Sequence, residues 1–193
     1  MVNNFGENHG VIAENIYGDI KILSDKKKIP SLLPKFIEML VKNYSPVIEN
    51  GNSYNNKPYT IEEKIEYNNI IFFKEMIDEY YVYYPICELA FDSLRNIDEN
   101  CKRNILEDIH VLYKNIKFEI FEECRESSDP LDELKVRIKK QSDKIISLII
   151  DKVKCRIESS YNGENFNLEE LSMCLNIFIC YALGECKILE RPV

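Results

Sequence analysis

Apolar residues recur every three to four positions through residues 61–178, and this period limits the possible fold more than any other feature of the sequence. Five successive segments carry such a stripe, and short connections separate them. Short connections favour antiparallel neighbours. The period therefore predicts a helical bundle of about five helices.

The first predicted helix covers residues 61–84. Thr60 and Glu63 form a capping box at its start, and Pro85 ends or kinks it. Its wide apolar arc predicts a central helix or a second apolar contact, and Ile71 projects from the polar side as a candidate contact. The arc contains Ile65, Ile70, Phe72, Phe73, Met76, Ile77, Tyr80 and Tyr84. The polar side contains Lys64, Asn68, Lys74, Glu75 and Asp78.

Caps mark the starts of three later helices. Asp98 caps one of them, and Asn167 caps the last. Between these, Asp129 with Pro130 at the first helical position opens a long helix over residues 131–157. The two longest stripes consist of Ile105, Ile109, Leu112, Ile116 and Ile120, and of Leu131, Leu134, Ile138, Ile145, Ile149 and Val153. Of these residues, Ile109 and Ile149 are expected to be fully buried.

The first part of the chain has a different pattern. Residues 10–23 alternate apolar residues between glycines, which predicts a β-hairpin-like appendage. Residues 31–44 have the spacing of a short helix. Residues 50–58 are rich in Asn, Gly and Pro and predict a linker. We therefore divide the chain into an N-terminal segment, residues 1–57, and a helical interaction domain, residues 58–193, in a mainly α fold.

A lone hairpin is marginally stable in water, so residues 10–23 need a partner. They either dock on the helices of their own chain or add a strand to a second copy or to a partner protein. We predict the second arrangement, in which the segment pairs with a strand of a second copy or of a partner protein, so self-association is one of the expectations; docking on its own helices is the alternative.

Charge and composition exclude several classes of protein. The 193 residues are 45% hydrophobic and 30% charged, as in globular domains, and the formal net charge is -8. Proteins that bind nucleic acid generally carry a surplus of Lys and Arg. The chain shows no secretory signal, and no apolar run approaches the ~20 residues that cross a bilayer. We expect a cytoplasmic protein without membrane contact.

The sequence contains no recognisable catalytic or metal-binding motif. Its seven cysteines form no C-x-x-C pair, and His9 and His110 are far apart. Glycine-rich phosphate loops and a serine nucleophile elbow are also missing. Residues 132–135, Asp-Glu-Leu-Lys, match half of a nuclease motif, but acidic residues are common in the first turn of a helix. We therefore expect no catalytic residue, metal or cofactor.

A dense group of tyrosines is the first candidate surface. Tyrosine suits interfaces because it combines a large apolar body with a polar tip. Packing of a helix end against the core explains the same group equally well. The residues are Tyr80, Tyr81, Tyr83 and Tyr84.

Three basic residues form the second candidate surface. Arg137, Lys140 and Lys144 would share one face of the predicted helix 131–157, opposite its apolar stripe. One explanation is a solvated face that is partly paired with the acidic residues before it. The other is a docking stripe for an acidic partner or a phosphate backbone.

Residues 58–69, Pro-Tyr-Thr-Ile-Glu-Glu-Lys-Ile-Glu-Tyr-Asn-Asn, resemble the start of a bacterial domain family. It is the C-terminal helical domain of effector proteins in ABC three-component conflict systems, which are related to Lamassu-type anti-phage defence. The resemblance continues at residues 10–22, 78–80 (Asp-Glu-Tyr), 105–109 (Ile-Leu-Glu-Asp-Ile), Tyr113, Lys117 and 186–192 (Cys-Lys-Ile-Leu-Glu-Arg-Pro).

This resemblance implies a module that couples an effector to a middle component and to an SMC-like ATPase that senses invasion. Fewer than sixty residues precede the module, where the family places a nuclease or protease. We therefore expect a free-standing, non-catalytic adaptor or regulatory protein that binds other components of the system. The alternative is a nucleic-acid-contacting module that uses the basic helix 131–157. An enzyme whose site is assembled from scattered carboxylates is a third, less supported alternative.

Overall fold

A computed structural model describes residues 29–44, 60–161 and 166–192, and all regular structure within them is helical. The helices are α1 (Leu33–Tyr44), α2 (Ile61–Asn68), α3 (Lys74–Tyr80), α4 (Tyr84–Leu94), α5 (Cys101–Cys124), α6 (Pro130–Lys140), α7 (Ser142–Ser159) and α8 (Leu168–Gly184). A 3-10 turn, Tyr81–Tyr83, joins α3 to α4. The mainly α fold is thus confirmed. The predicted hairpin and linker lie outside the described residues.

Helix α8 lies at the centre of the bundle and contacts α1, α3, α4 and α7. The Asn167 side chain caps its start by accepting a hydrogen bond from the Glu170 N–H at 2.8 Å, as predicted. Most of its residues are buried, because a helix that is apolar on every side is stable only when other helices surround it. They are Leu171, Cys174, Leu175, Ile177, Phe178, Ile179, Cys180, Tyr181, Ala182 and Leu183.

Helix α1 packs into this same core. The Phe36 ring stacks on the Phe91 ring of α4, with centroids 4.3 Å apart, and it lies 4.9 Å from the Phe178 ring of α8. The predicted short helix is confirmed, and its apolar face joins the other helices. The boundary that we place at residue 57 lies outside the described residues and stays a prediction.

The prediction of one continuous helix over residues 61–84 is wrong, because a turn after residue 68 divides it into α2 and α3. The capping box of Thr60 and Glu63 is present, but α2 ends at Asn68, and the φ of 54° places the next residue, Asn69, in the left-handed region. Asparagine adopts this conformation more readily than most residues and therefore ends helices. Pro85 lies in the first turn of α4, so it stands at the start of a helix and does not end one.

The predicted helix 131–157 is also divided. Gln141, with φ of −111° and ψ of 13°, separates α6 from α7. Leu131 is 64% exposed, so its assignment to the core was wrong, while the other members of that stripe are buried. These two divisions give seven helices, α2 to α8, where the sequence predicted five.

The two residues predicted to be fully buried have no exposed surface: Ile109 on α5 and Ile149 on α7. We expect either one changed to Ala to lower the free energy of unfolding by about 2–5 kcal/mol, because a cavity replaces packed methyl groups. Val111→Ala, at an exposed position of α5, is the control, and we expect a change within about 0.5 kcal/mol. Thermal melts in which both core variants match the wild type would contradict this packing.

Candidate interaction surface

Two exposed apolar side chains lie on the turn between α2 and α3. After Asn69 ends α2, the Ile70 N–H donates to the Ile65 carbonyl at 3.0 Å, and the Ile70 side chain enters the core. The next two residues, Ile71 and Phe72, point outward and are 71% and 79% exposed. We call these two residues the apolar tip.

The start of α7 holds the backbone of the apolar tip. Asp143 accepts hydrogen bonds from the Ile71 N–H at 3.2 Å and from the Phe73 N–H at 3.0 Å. Ser142, which is buried, donates its hydroxyl to the Asn69 carbonyl at 3.1 Å. Hydrogen bonds to a charged group contribute about 1.5–3 kcal/mol each. The turn is therefore fixed by hydrogen bonds within the chain itself.

The division between α6 and α7 makes this arrangement possible. Because α7 begins at Ser142, the backbone N–H groups of its first turn are free of helical partners and Asp143 is well placed there. The Asp143 carboxylate thus has two effects. It interacts favourably with the N-terminal end of α7, and it accepts hydrogen bonds from the turn that carries the apolar tip. In a continuous helix, residues 142 and 143 would not form a helix start.

The sequence identified only half of the apolar tip. Ile71 was a predicted contact because it falls on the polar side of its segment, and it is exposed. Phe72 was assigned to the buried arc, and that assignment was wrong. The adjacent pair Asn68 and Asn69 is the signal that could have revealed the turn, since asparagine favours helix ends.

The tyrosine group lies against the core in the described structure. All four residues are half-buried and pack on the core, and the Tyr84 ring lies 4.4 Å from the Tyr181 ring. The Tyr84 hydroxyl donates to Glu185, and burial raises the pKa of Tyr84 above its usual value. The centre of the Tyr83 ring lies 5.2 Å from the centre of the Tyr44 ring of α1 and 6.3 Å from the centre of the Tyr80 ring. Burial likewise raises the pKa of Tyr81.

The three basic residues do not form one continuous helical face. Arg137 makes ion pairs with Glu133 at 2.7 Å and with Glu123 at 3.1 Å. Lys140 and Lys144 are exposed, but Lys140 ends α6 and Lys144 follows the break in the first turn of α7. Arg137 therefore matches the explanation of a face paired with acidic neighbours.

The C-terminal segment, residues 186–190, packs across α2 and α5. The Asn68 side chain makes two hydrogen bonds with the Glu190 backbone. Its Nδ2 donates to the Glu190 carbonyl at 2.9 Å, and its Oδ1 accepts from the Glu190 N–H at 3.0 Å. His110 bonds the Lys187 carbonyl at 3.0 Å. Ile188 and Leu189, which belong to the segment, are buried.

The Glu190 side chain fixes this segment to α5. It accepts hydrogen bonds from the Tyr113 hydroxyl and from the Lys117 amine, the second at 2.6 Å. Burial acts to raise the pKa of Glu190, but the bonds from Lys117 and Tyr113 outweigh it and hold that pKa below its usual value. The segment is thus an integral part of the fold.

Two residues assigned to the polar side of the first helix are buried. Lys64 is 1% exposed and Asn68 is fully buried. Asn68 satisfies its polar atoms through Glu190, but the Lys64 amine makes no hydrogen bond in the part of the chain that the structure describes. Burial lowers the pKa of Lys64 from its usual value.

The described residues offer no candidate metal centre. They contain no group of three or more His, Cys, Asp or Glu side chains that could hold a metal ion. None of their helices is both long enough and apolar enough to span a bilayer. His110 is engaged by the C-terminal segment, and His9 lies outside the described residues.

Comparisons of this chain with protein-family models, with curated proteins and with solved structures find no significant match.

Proposed function

We propose that this chain is a non-catalytic adaptor that binds a partner protein by inserting its apolar tip into an apolar pocket. The observation that carries this proposal is the exposure of Ile71 and Phe72 on a backbone held by Asp143. Burying each of these side chains in a partner would contribute about 1.5–3 kcal/mol. A turn that is already ordered adds little entropic cost on binding.

The surroundings of the apolar tip suit an interface. Phe is enriched in the fully buried centre of interfaces, and charged residues typically form their rim. Lys74 and Glu75 follow the tip at the start of α3 and are exposed. Next to α2, the Lys139 amine lies 4.0 Å from the centre of the Tyr67 ring. The apolar tip thus has exposed charged neighbours along the chain that suit the rim of an interface.

The resemblance of residues 58–69 and 186–192 to ABC three-component systems supports a class of partner. In that context the partners are the other components of a bacterial defence complex, including an SMC-like ATPase, and the complex is cytoplasmic. This part of the proposal rests on the sequence patterns alone. The binding surface itself is argued independently from the apolar tip.

The nucleic-acid alternative receives less support. It requires Arg137, Lys140 and Lys144 to act together, but Arg137 is paired with two glutamates and the helix is broken at Gln141. The net charge of -8 also opposes approach to phosphates. Fluorescence anisotropy with duplex and single-stranded DNA at low salt would reveal such binding.

The adaptor proposal is tested by size-exclusion chromatography and calorimetry with the proteins encoded beside this chain. We expect a complex at micromolar concentration, and we expect Phe72→Ala to weaken it by about 30-fold or more, as at interface hot spots. Because Phe72 is exposed, the variant should keep the wild-type free energy of unfolding to within about 0.5 kcal/mol.

The matched control is Phe118→Ala, which removes another exposed ring, from α5; Phe118 is 61% exposed and Phe72 79%. It should bind as the wild type does. The adaptor proposal fails if the wild-type chain stays apart from all of these proteins. The role of the apolar tip fails if Phe72→Ala and Phe118→Ala have the same effect on binding.

A further inference from the structure

A short, strained hinge, residues 185 and 186, joins the C-terminal segment to α8. The end of α8 has the hydrogen bonds of a Schellman motif: the Cys186 N–H donates to the Leu183 carbonyl and the Lys187 N–H to the Ala182 carbonyl, each at 3.0 Å. This motif places one residue in the left-handed region, and that residue is usually glycine. Here it is Cys186, with a φ of 55°. Because a Cβ atom is crowded in this conformation, the hinge carries backbone strain.

Beyond the hinge, α2 and α5 hold the segment. The Asn68 side chain of α2 makes two hydrogen bonds with the Glu190 backbone, and Lys117 of α5 donates to the Glu190 carboxylate at 2.6 Å. The two apolar residues before Glu190 are both buried: Ile188 and Leu189. Leu189 itself has a φ of 60°, a conformation that persists in a leucine only where its surroundings impose it. We call this surface of α2 and α5, which contains Asn68 and Lys117, the segment-binding site.

The contacts at the segment-binding site do not depend on which copy of the chain supplies the segment. A second copy has the same segment and the same site, so two copies that exchange their segments keep all of these contacts. Exchange of an identical element is a low-cost route to a dimer, and short hinges under strain favour it. When the hinge opens, Cys186 can leave the left-handed region, so both hinges of the dimer lose the strain that each monomer carries.

We propose that two copies of this chain exchange their C-terminal segments and form a symmetric dimer. Residues 187–190 of each copy then occupy the segment-binding site of the other copy, and Cys186 is the hinge residue. Association costs translational and rotational freedom, so the dimer forms at high protein concentration. This exchange does not depend on the proposed binding partner, because the apolar tip lies on a different part of α2 and α3 and is not used.

The strain at the hinge provides the first test. After refolding of the wild-type chain from urea at millimolar concentration, with a reducing agent present, we expect sedimentation equilibrium to show a dimer. Cys186→Gly removes the strain from the monomer and should raise the dissociation constant of the dimer about tenfold or more, because two hinges no longer gain from opening.

Cys186→Ala is the matched control. It also removes the thiol, but it keeps a Cβ atom and therefore the strain, so it should dimerise as the wild type does. The proposal is overturned if the wild type stays monomeric under these conditions. It is also overturned if the glycine and alanine variants dimerise equally, because the dimer would then form without opening of this hinge.

Reversal of one ion pair tests where the exchanged segment binds. Glu190→Lys places two amines together and Lys117→Glu places two carboxylates together, so in neither variant does the segment match the segment-binding site. In an equimolar mixture, each segment matches the site of the other variant. We expect native mass spectrometry to show mixed dimers at a concentration at least about tenfold below that required by either variant alone.

The control for this experiment is the chain with both substitutions, in which segment and site match again. It should have the circular dichroism spectrum and the dimer content of the wild type. A mixture without mixed dimers, beside a doubly substituted chain that dimerises normally, would overturn the proposal. If the single variants do not fold, the comparison of glycine and alanine at residue 186 decides the result alone.

Discussion

Phe36→Ala is expected to lower the free energy of unfolding by about 3–5 kcal/mol. The Phe36 side chain is fully buried, and its ring packs between Phe91 of α4 and Phe178 of α8. Removal of the ring leaves a cavity at the junction of three helices and also removes two aromatic contacts, each of which contributes about 0.5–1.5 kcal/mol. Urea denaturation followed by circular dichroism measures the loss.

This variant also tests how α1 relates to the rest of the bundle. If α1 unfolds together with α4 and α8, the whole bundle should still unfold in one transition, at a lower urea concentration. Lys35→Ala, at an exposed position of α1, controls for helix propensity and should change little. A loss below about 1 kcal/mol for Phe36→Ala, or a separate early transition, would show that α1 folds apart from the others.

Local patterns in the sequence predicted most of the helices correctly. The cap at Asn167 and the box at Thr60 involve only neighbouring residues, and both are present in the structure. Ile109 and Ile149 follow a period of several turns, and both are fully buried. Such features depend on contacts within one helix or on the direction of its apolar face, so a sequence displays them directly.

The errors occur where distant residues decide the local structure. The turn after Asn69 is stabilised by Ser142 and Asp143, more than seventy positions further along the chain. Asn68 is paired with Glu190, which is 122 positions away. Local periodicity contains no information about such partners, so the segment 61–84 was predicted as one helix. Tertiary contacts override local propensity at these positions.

The same limit explains why the candidate surface was only partly predicted. Phe72 has the spacing of a core residue, and only the turn directs it outward. Lys64 has the spacing of a surface residue, and only the C-terminal segment covers it. The alternatives that the sequence left open for the tyrosines depended on helix packing, and in the described structure they pack against the core.

Lys64→Met is expected to raise the free energy of unfolding at neutral pH by about 1–4 kcal/mol, the range seen when buried ion pairs are replaced by well-packed apolar residues. The Lys64 amine is buried without a hydrogen-bond partner in the described structure, so the fold bears the cost of its desolvation. Methionine has a similar length and a flexible apolar side chain that can fill the same space. Lys35→Met, at an exposed position of α1, is the control.

The pH dependence of this difference identifies its cause. Burial lowers the pKa of Lys64 in the folded chain, while the unfolded chain keeps a value near 10.4. Between these two values the unfolded chain binds more protons than the folded chain, so wild-type stability rises with pH relative to Lys64→Met. Below the lowered pKa both states are protonated, and the full cost of the buried charge remains. The advantage of the variant should therefore be largest at neutral or lower pH and shrink toward pH ~10.

Urea denaturation of both proteins from pH 7 to about pH 9.5, under reducing conditions, measures this trend. Burial raises the pKa of Tyr113 and Tyr181, so both proteins lose stability above pH ~10, and this loss cancels when they are compared. A difference that stays constant over the range would show that the Lys64 amine does not change its charge there. A variant less stable than the wild type at pH 7 would show that the amine has a stabilising partner in solution.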